Sequence, residues 1–140
     1  MGAEGDRADL VAAMPFSAAL GVELEAASPE EVRGWLAWAP ERCTSGGVLH
    51  GGAIMALADS VGGICAYLNL PEGAGTSTIE SKSNFFRGVR GGHVRATARP
   101  LHVGRTTIVV QSDLRDDEDR RVALVIQTQA VLRPGAERGA

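Results

Sequence analysis

Between Gly51 and Leu70 the chain reads GGAIMALADSVGGICAYLNL, with Asp59, Ser60 and Asn69 as its strongly polar side chains. No other feature restricts the fold as much, because a long helix that is apolar on all sides must be covered either by lipid or by the rest of the chain. Length alone would let it span a bilayer, for which about 20 apolar residues suffice. An aspartate near the centre of a span costs about 2.5–3.5 kcal/mol on insertion scales, and Gly51, Gly52, Gly62 and Gly63 dilute the hydrophobicity further. The helix is therefore expected inside a protein core and not in a membrane.

The flanking sequence supplies the cover. Asp6 to Ala19 places Leu10, Val11, Met14 and Ala18 at helical spacing and is interrupted by Pro15. Gly21 to Ala27 alternates, the turn Ser28-Pro29-Glu30 follows, and Val32 to Trp38 completes a hairpin; Trp35 and Trp38 are expected on one strand face as packing residues. After the helix the period becomes two. Thr76 to Arg87, Gly91 to Val103, Thr106 to Leu114 and Val122 to Leu132 read as strands, with Val94, Ala96 and Ala98 facing opposite to His93, Arg95, Thr97 and Arg99. The charged run Arg115 to Arg120 reads as a solvated hairpin tip. The fold class is α+β in one domain: an N-terminal helical segment over 1–20, the main domain over 21–133 and a flexible tail over 134–140. A single helix covers several antiparallel strands only if the sheet curls around it.

Composition narrows the partners. The formal net charge is −3 with scattered basic residues, so no stripe suits a nucleic-acid backbone. Cys43 and Cys65 form no CxxC and no Cys/His pair at zinc spacing, so no metal site is expected. The start MGAEGDRADL is acidic and lacks the basic, then apolar, pattern of a signal peptide, and Asp6 breaks the myristoylation pattern; a cytoplasmic location is expected.

Helix geometry sorts the central segment into two faces. Ile54, Leu57, Ala58, Val61, Ile64, Cys65 and Leu68 form a bulky face for the sheet. Gly52, Met55, Ala56, Asp59, Gly62, Gly63 and Ala66 form a face of mostly small residues. A helical glycine costs about 1 kcal/mol relative to alanine, so Gly62 and Gly63 beside the acid predict close approach by a ligand or a second chain. The Asp59 carboxylate needs hydrogen bonds, solvent or a shifted pKa. A structural role, with a backbone group or an arginine across an interface as its partner, stands beside a catalytic one. At the helix start, His50-Gly51-Gly52 predicts unpaired amides at the positive end of the dipole, suited to a polarised carbonyl. Asp59 lies eight residues beyond Gly51, about 12 Å of rise, too far for one carbonyl to touch both. A second chain with its helix antiparallel would bring its Asp59 level with Gly51, so a site shared in a symmetric dimer is expected.

At these residues the chain resembles the hotdog-fold acyl-CoA thioesterases, in particular the phenylacetate-degradation (PaaI-like) group. The likeness lies in GGVLHGGAIMALADSVGG, TSTIESKSNFF and HVGRT, and runs from about Val22 to Leu132. The resemblance implies a long helix wrapped by a curled antiparallel sheet, in obligate dimers that often pair into tetramers. It implies hydrolysis of acyl-CoA thioesters, with no cofactor beyond the coenzyme A of the substrate. Gly51 would polarise the thioester carbonyl through its N–H, His50 would orient the loop or the thiol leaving group, and Asp59 would act as nucleophile or general base. Thr78 matches a position that holds the attacking water. Thr44 stands where the family often has Asn or Gln, and offers a shorter hydrogen-bonding side chain.

Coenzyme A brings phosphates, and Arg87, Arg90, His102 and Arg105 are the cations expected to meet them. Phe16, Leu20, Met55 and Phe85 are candidates for the acyl pocket. Two other readings stand beside hydrolysis. One is an acyl-CoA binding module without turnover; the other is a hydratase or dehydratase, whose paired His and acid do not match the order of His50 and Asp59.

Overall fold

The computed structural model describes residues 3–135. Helices α1 (Ala3–Ala12) and α2 (Pro15–Leu20) lead into strands β1 (Glu23–Ala27) and β2 (Val32–Ala37), then the long helix α3 (Gly51–Tyr67). Strands β3 (Gly75–Phe85), β4 (His93–Val103), β5 (Thr107–Arg115) and β6 (Arg121–Leu132) complete the chain. All neighbours pair antiparallel in one six-stranded sheet of order β1-β2-β4-β5-β6-β3. The sheet curls around α3 without closing, as the apolar helix requires. The end of the proposed tail, 136–140, lies outside the described residues. Among the described residues no helix is long and apolar enough to cross a membrane.

The ends of α3 follow from local chemistry. His50 is extended, and its Nδ1 accepts the Gly52 N–H at 2.7 Å, which caps the N-terminus. At the other end the Asn69 amide donates to Cys65 O at 2.8 Å and to Pro29 O at 2.7 Å, so one side chain satisfies a late helix carbonyl and ties it to the β1–β2 turn. Ile54, Leu57, Ala58, Val61, Ile64 and Cys65 are buried against Leu36, Val94, Ile108, Val110 and Leu114 of the sheet. Each of the Ile, Leu and Val side chains stabilises by about 1.5–3 kcal/mol on burial. Where α3 crosses β2 the gap is too small for a side chain: a Cβ on Gly34 would lie 2.8 Å from Val61 Cγ2 and 2.9 Å from Glu23 O. The Ser17 and Ser60 hydroxyls, both buried, meet at 2.7 Å and pin α2 to α3.

Two expectations need correction. The helix is not covered on all sides: Gly52, Met55, Asp59 and Tyr67 form an exposed stripe. Trp35 and Trp38 do not share a strand face, since a spacing of three reverses direction in a strand of period two and β2 ends at Ala37. Trp35 meets His93 edge-on with ring centroids 5.0 Å apart, whereas Trp38 packs on the core and donates to Gly47 O at 3.0 Å.

Strand β3 runs alongside the acid of α3, with Thr78 within hydrogen-bonding distance of Asp59. It lies at a sheet edge, bonded only to β6, and is exposed over most of its length. A bulge between Thr78 and Glu80 shifts its register. Thr78 pairs with Gln129 before the bulge, and Ser81 pairs with Gln127 after it, so one strand presents alternate positions to α3 on either side of the bulge.

Candidate active site

Asp59 sits in the middle of α3, on the exposed stripe, facing the start of β3. Its Oδ1 accepts from Thr78 Oγ1 at 3.1 Å and from Gln127 Nε2 at 3.1 Å. The second oxygen, Oδ2, has no partner among the described residues and is free to take a proton or to attack. Behind the acid is a polar network that the sequence reading does not anticipate. Gln127 and Gln129 are only 1% and 3% exposed, deep for amides. Gln127 Nε2 also donates to Gln129 Oε1 at 3.1 Å, and Gln129 Nε2 donates to Thr76 Oγ1 at 3.2 Å. Thr78 Oγ1 lies 2.6 Å from Gln129 Oε1 as well. Thr78 has one hydroxyl proton and serves either Asp59 or Gln129 at any instant, but the Gln127 amide has two N–H groups and serves both together. Gln127 is thus the steady donor to the carboxylate. The opposite amide orientation would set Oε1 against the Asp59 carboxylate, so the network assigns the one described.

Gly62 makes room for this amide. A Cβ there would fall 2.2 Å from Gln127 Oε1 and 2.7 Å from its Cδ. The close approach expected at Gly62 is therefore real, but the group that approaches is the chain's own glutamine and not a ligand or a second chain. Gly63 differs: nothing lies within 4 Å of its Cβ position, and it opens onto a cavity of ≈ 700 Å³. Asp59 borders the same cavity, between Leu10 and Met14 from the N-terminal segment, Ile64 and Tyr67 of α3, and Thr76 to Thr78 of β3.

The helix start is built as expected in one respect and differently in another. The Gly51 N–H has no acceptor among the described residues, so it points a free donor outward from the positive end of α3. The Gly52 N–H, expected to be free too, is consumed by His50 Nδ1. With Nδ1 accepting, the neutral His50 ring carries its proton on Nε2. The Thr44 amide donates to Val48 O at 2.8 Å, closing the loop before the helix, and its side chain is exposed.

The four residues expected to line the acyl pocket do not line the cavity at Asp59. Phe16 and Leu20 border a separate hollow of ≈ 210 Å³ beside His50 and Gly52. The Phe85 ring lies over the helix start, 3.5 Å from where a Gly51 Cβ would be, and Met55 is on the exposed stripe. The expected coenzyme A cations also fall into two groups. Arg87 and Arg90 follow the end of β3 that pairs with Ala123, and Arg90 donates to Gly46 O at 3.0 Å near the start of α3. His102 and Arg105 belong to the β4–β5 hairpin, where Thr107 pairs with Ala130 at the opposite end of the sheet. One chain does not bring all four together.

Comparison with known proteins agrees with this architecture. Residues 46–123, more than half of the chain, match the Thioesterase superfamily. A variant of thioesterase PA1618 from Pseudomonas aeruginosa superposes with a TM-score of 0.86 at 32% identity, covering 91% of this chain and 94% of that one. Thioesterase HI1161 from Haemophilus influenzae gives 0.84 at 30% identity, covering 91% and 90%. The 1,4-dihydroxy-2-naphthoyl-CoA hydrolase of Escherichia coli is 35% identical over 86 residues, which are 61% of this chain and 63% of that enzyme. A Vibrio cholerae relative is matched over 58% of its own length at 38% identity. The chain belongs to the thioesterase superfamily, with the hotdog fold, and its reaction class is hydrolysis of a thioester.

Proposed function

We propose that the protein hydrolyses acyl-CoA thioesters to a free carboxylic acid and coenzyme A, at sites shared between two chains in a cytoplasmic homodimer that pairs again into a tetramer. The observation that carries this reading is the Asp59 carboxylate, held on one oxygen by Gln127 and open on the other, beside a largely apolar cavity. The naphthoyl-CoA hydrolase among its relatives supports a coenzyme A thioester as substrate.

In this reading the Gly51 N–H of one chain donates to the thioester carbonyl and stabilises the oxyanion as it forms. Asp59 of the other chain, through Oδ2, takes a proton from water as the water attacks the carbonyl carbon, or attacks directly to give an anhydride that water then opens. The C–S bond breaks, the thiolate leaves and takes up a proton, and the acid is released. Thr78 stands within hydrogen-bonding reach of Asp59 and can hold the water. His50 acts on the loop by capping α3, and no group beyond the substrate's own coenzyme A is needed. Arg87 and Arg90 of one chain and His102 and Arg105 of the other would meet the phosphates.

The shared site is supported by surfaces left open in the single chain. Strand β3 is a long unpaired edge with Ile79 62% exposed, and such edges invite pairing. The exposed helix stripe with Met55 and Tyr67, and Phe85 and Phe86 close by in sequence to that edge, adds apolar area for a second copy. Thiol release from a panel of acyl-CoA thioesters tests the reaction. Asp59→Asn is expected to lower kcat by roughly 10²–10⁴-fold. Parent-like turnover in that variant would refute the assigned role, and ligand-induced stabilisation without any turnover would identify a binding module instead.

A further inference from the structure

The cavity beside Asp59 has a charge pattern that hydrolysis alone does not require. Its ionisable carboxylates are Asp6 and Asp9 from α1 and Asp59 from α3, and among the described residues no arginine, lysine or histidine borders it. The orientation of α1 produces the pattern. Asp6, Asp9, Leu10 and Ala13 follow the i, i+3, i+4, i+7 rule and form one face, which borders the cavity. Arg7, the only basic residue of α1, is turned away and borders a separate hollow with Val11, Val22 and Glu23.

Helix stability does not account for both acids. Asp6, near the N-terminus of α1, is favoured by the helix dipole, but Asp9 is in the last turn, where the dipole disfavours a carboxylate. Deeper in, the walls are apolar, from Leu10, Met14, Ile64 and Leu68. A carboxylate entering such walls would lose water and find no cation of this chain's described residues to replace it.

We infer that the cavity admits an uncharged acyl chain or ring and rejects acyl groups that end in a carboxylate, with Asp6 and Asp9 as specificity-determining residues. This rests on the acyl-CoA reading of the same site. Like charges about 8 Å apart at an effective dielectric of about 20–40 repel enough to cost roughly five- to thirty-fold per acid. Both acids are exposed, so the discrimination weakens as salt screens them.

Hexanoyl-CoA and adipoyl-CoA share a chain length and differ by one terminal carboxylate, which makes them a matched pair. The parent is expected to prefer hexanoyl-CoA in kcat/KM by roughly thirtyfold or more, and Asp6→Asn/Asp9→Asn, which removes both acids, to narrow that preference by roughly twenty-five-fold or more at low salt. Asp6→Glu/Asp9→Glu retains the charges and should retain the preference. Equal hydrolysis of both thioesters by the parent, or a preference unchanged in the Asn variant, would overturn the inference. Binding of the thioethers hexyl-CoA and 5-carboxypentyl-CoA separates this from the hydrolase reading. If neither thioester turns over but hexyl-CoA still binds more tightly, hydrolysis fails and the charge filter stands; equal binding of the two overturns the filter.

Discussion

Gln127 shows how a buried polar side chain can be set by a position on another element. Its amide occupies the space where any residue but glycine at position 62 would put a Cβ, and from there it reaches Asp59. Gly62→Ala and Gly63→Ala therefore separate two effects of the same substitution. At Gly63 the methyl meets nothing, so stability should rise by up to about 1 kcal/mol from helix propensity. At Gly62 the same gain is offset by displacing a buried amide, which costs about 1–3 kcal/mol when its hydrogen bonds are lost. Thermal melts should show Gly62→Ala no more stable than the parent, and thiol-release assays should show it at least about tenfold slower because the carboxylate loses its donor. A more stable, fully active Gly62→Ala protein would contradict this account. Asp59, His50 and Gly51 are legible in the sequence because their spacing is a motif in a stretch with few other polar residues. Gln127 and Gln129 are not, since a polar residue in a strand of period two reads as outward-facing. The available signal is parity: both share the face of Val125, which is buried. Cys65, expected within the apolar helix, is buried in the core, and burial pushes its thiol up to about 11. Native protein should leave it unreactive towards thiol reagents at pH 8 while Cys43, half-buried, reacts.

Among the elements, α3 and the strands β4, β5 and β6 are readable to within three residues at their ends, because the apolar run of α3 and the alternation at Val94, Ala96 and Ala98 are clear. The bulge in β3 is not, as Thr78, Ile79 and Glu80 carry no pattern that marks an extra residue; without it, Thr78 and Ser81 could not both serve the inner face. The start of α3 depends on one cap. His50→Ala should cost about 1 kcal/mol in a denaturant melt and free the Gly52 amide. The β5–β6 hairpin, expected as a merely solvated tip, is organised by charge. Asp113 accepts from Arg115 Nε and Arg121 Nε, both at 2.9 Å, and Asp116 accepts from the Glu118 and Arg120 amides and the Arg120 side chain. Burial raises the Asp113 carboxyl, but the hydrogen bonds from Arg121 and Arg115 outweigh it and hold the group below its ordinary range. A lowered folded pKa favours the ionised form, so this stabilisation is complete above the ordinary carboxylate value of about 4 and is lost as pH falls through the lower folded value. Asp113→Asn should be less stable than the parent at pH 7, with the difference closing in melts run below about pH 4. A constant difference across that window would show that the pairs contribute nothing through ionisation.

In the proposed dimer neither chain holds a complete site. Gly51 and Asp59 lie at different levels of one helix, separated by about 12 Å, and each chain leaves an edge strand and a helix stripe uncovered. Mixing two defective chains tests this directly. Gly51→Pro deletes the free N–H at the first helical position, where proline is tolerated; His50 already has the extended backbone that a following proline requires (φ −62°, ψ 133°), and the nearest atom to the new Cβ is Phe85 Cζ at 3.5 Å. Asp59→Asn deletes the acid. Each variant alone should be nearly inactive. Co-expressed in equal amounts, half of the dimers are mixed, and each mixed dimer has one site with the intact Gly51 of one chain and the intact Asp59 of the other, so about a quarter of parent activity should return. If mixed dimers form and activity does not return, the two groups act within one chain and the account is wrong.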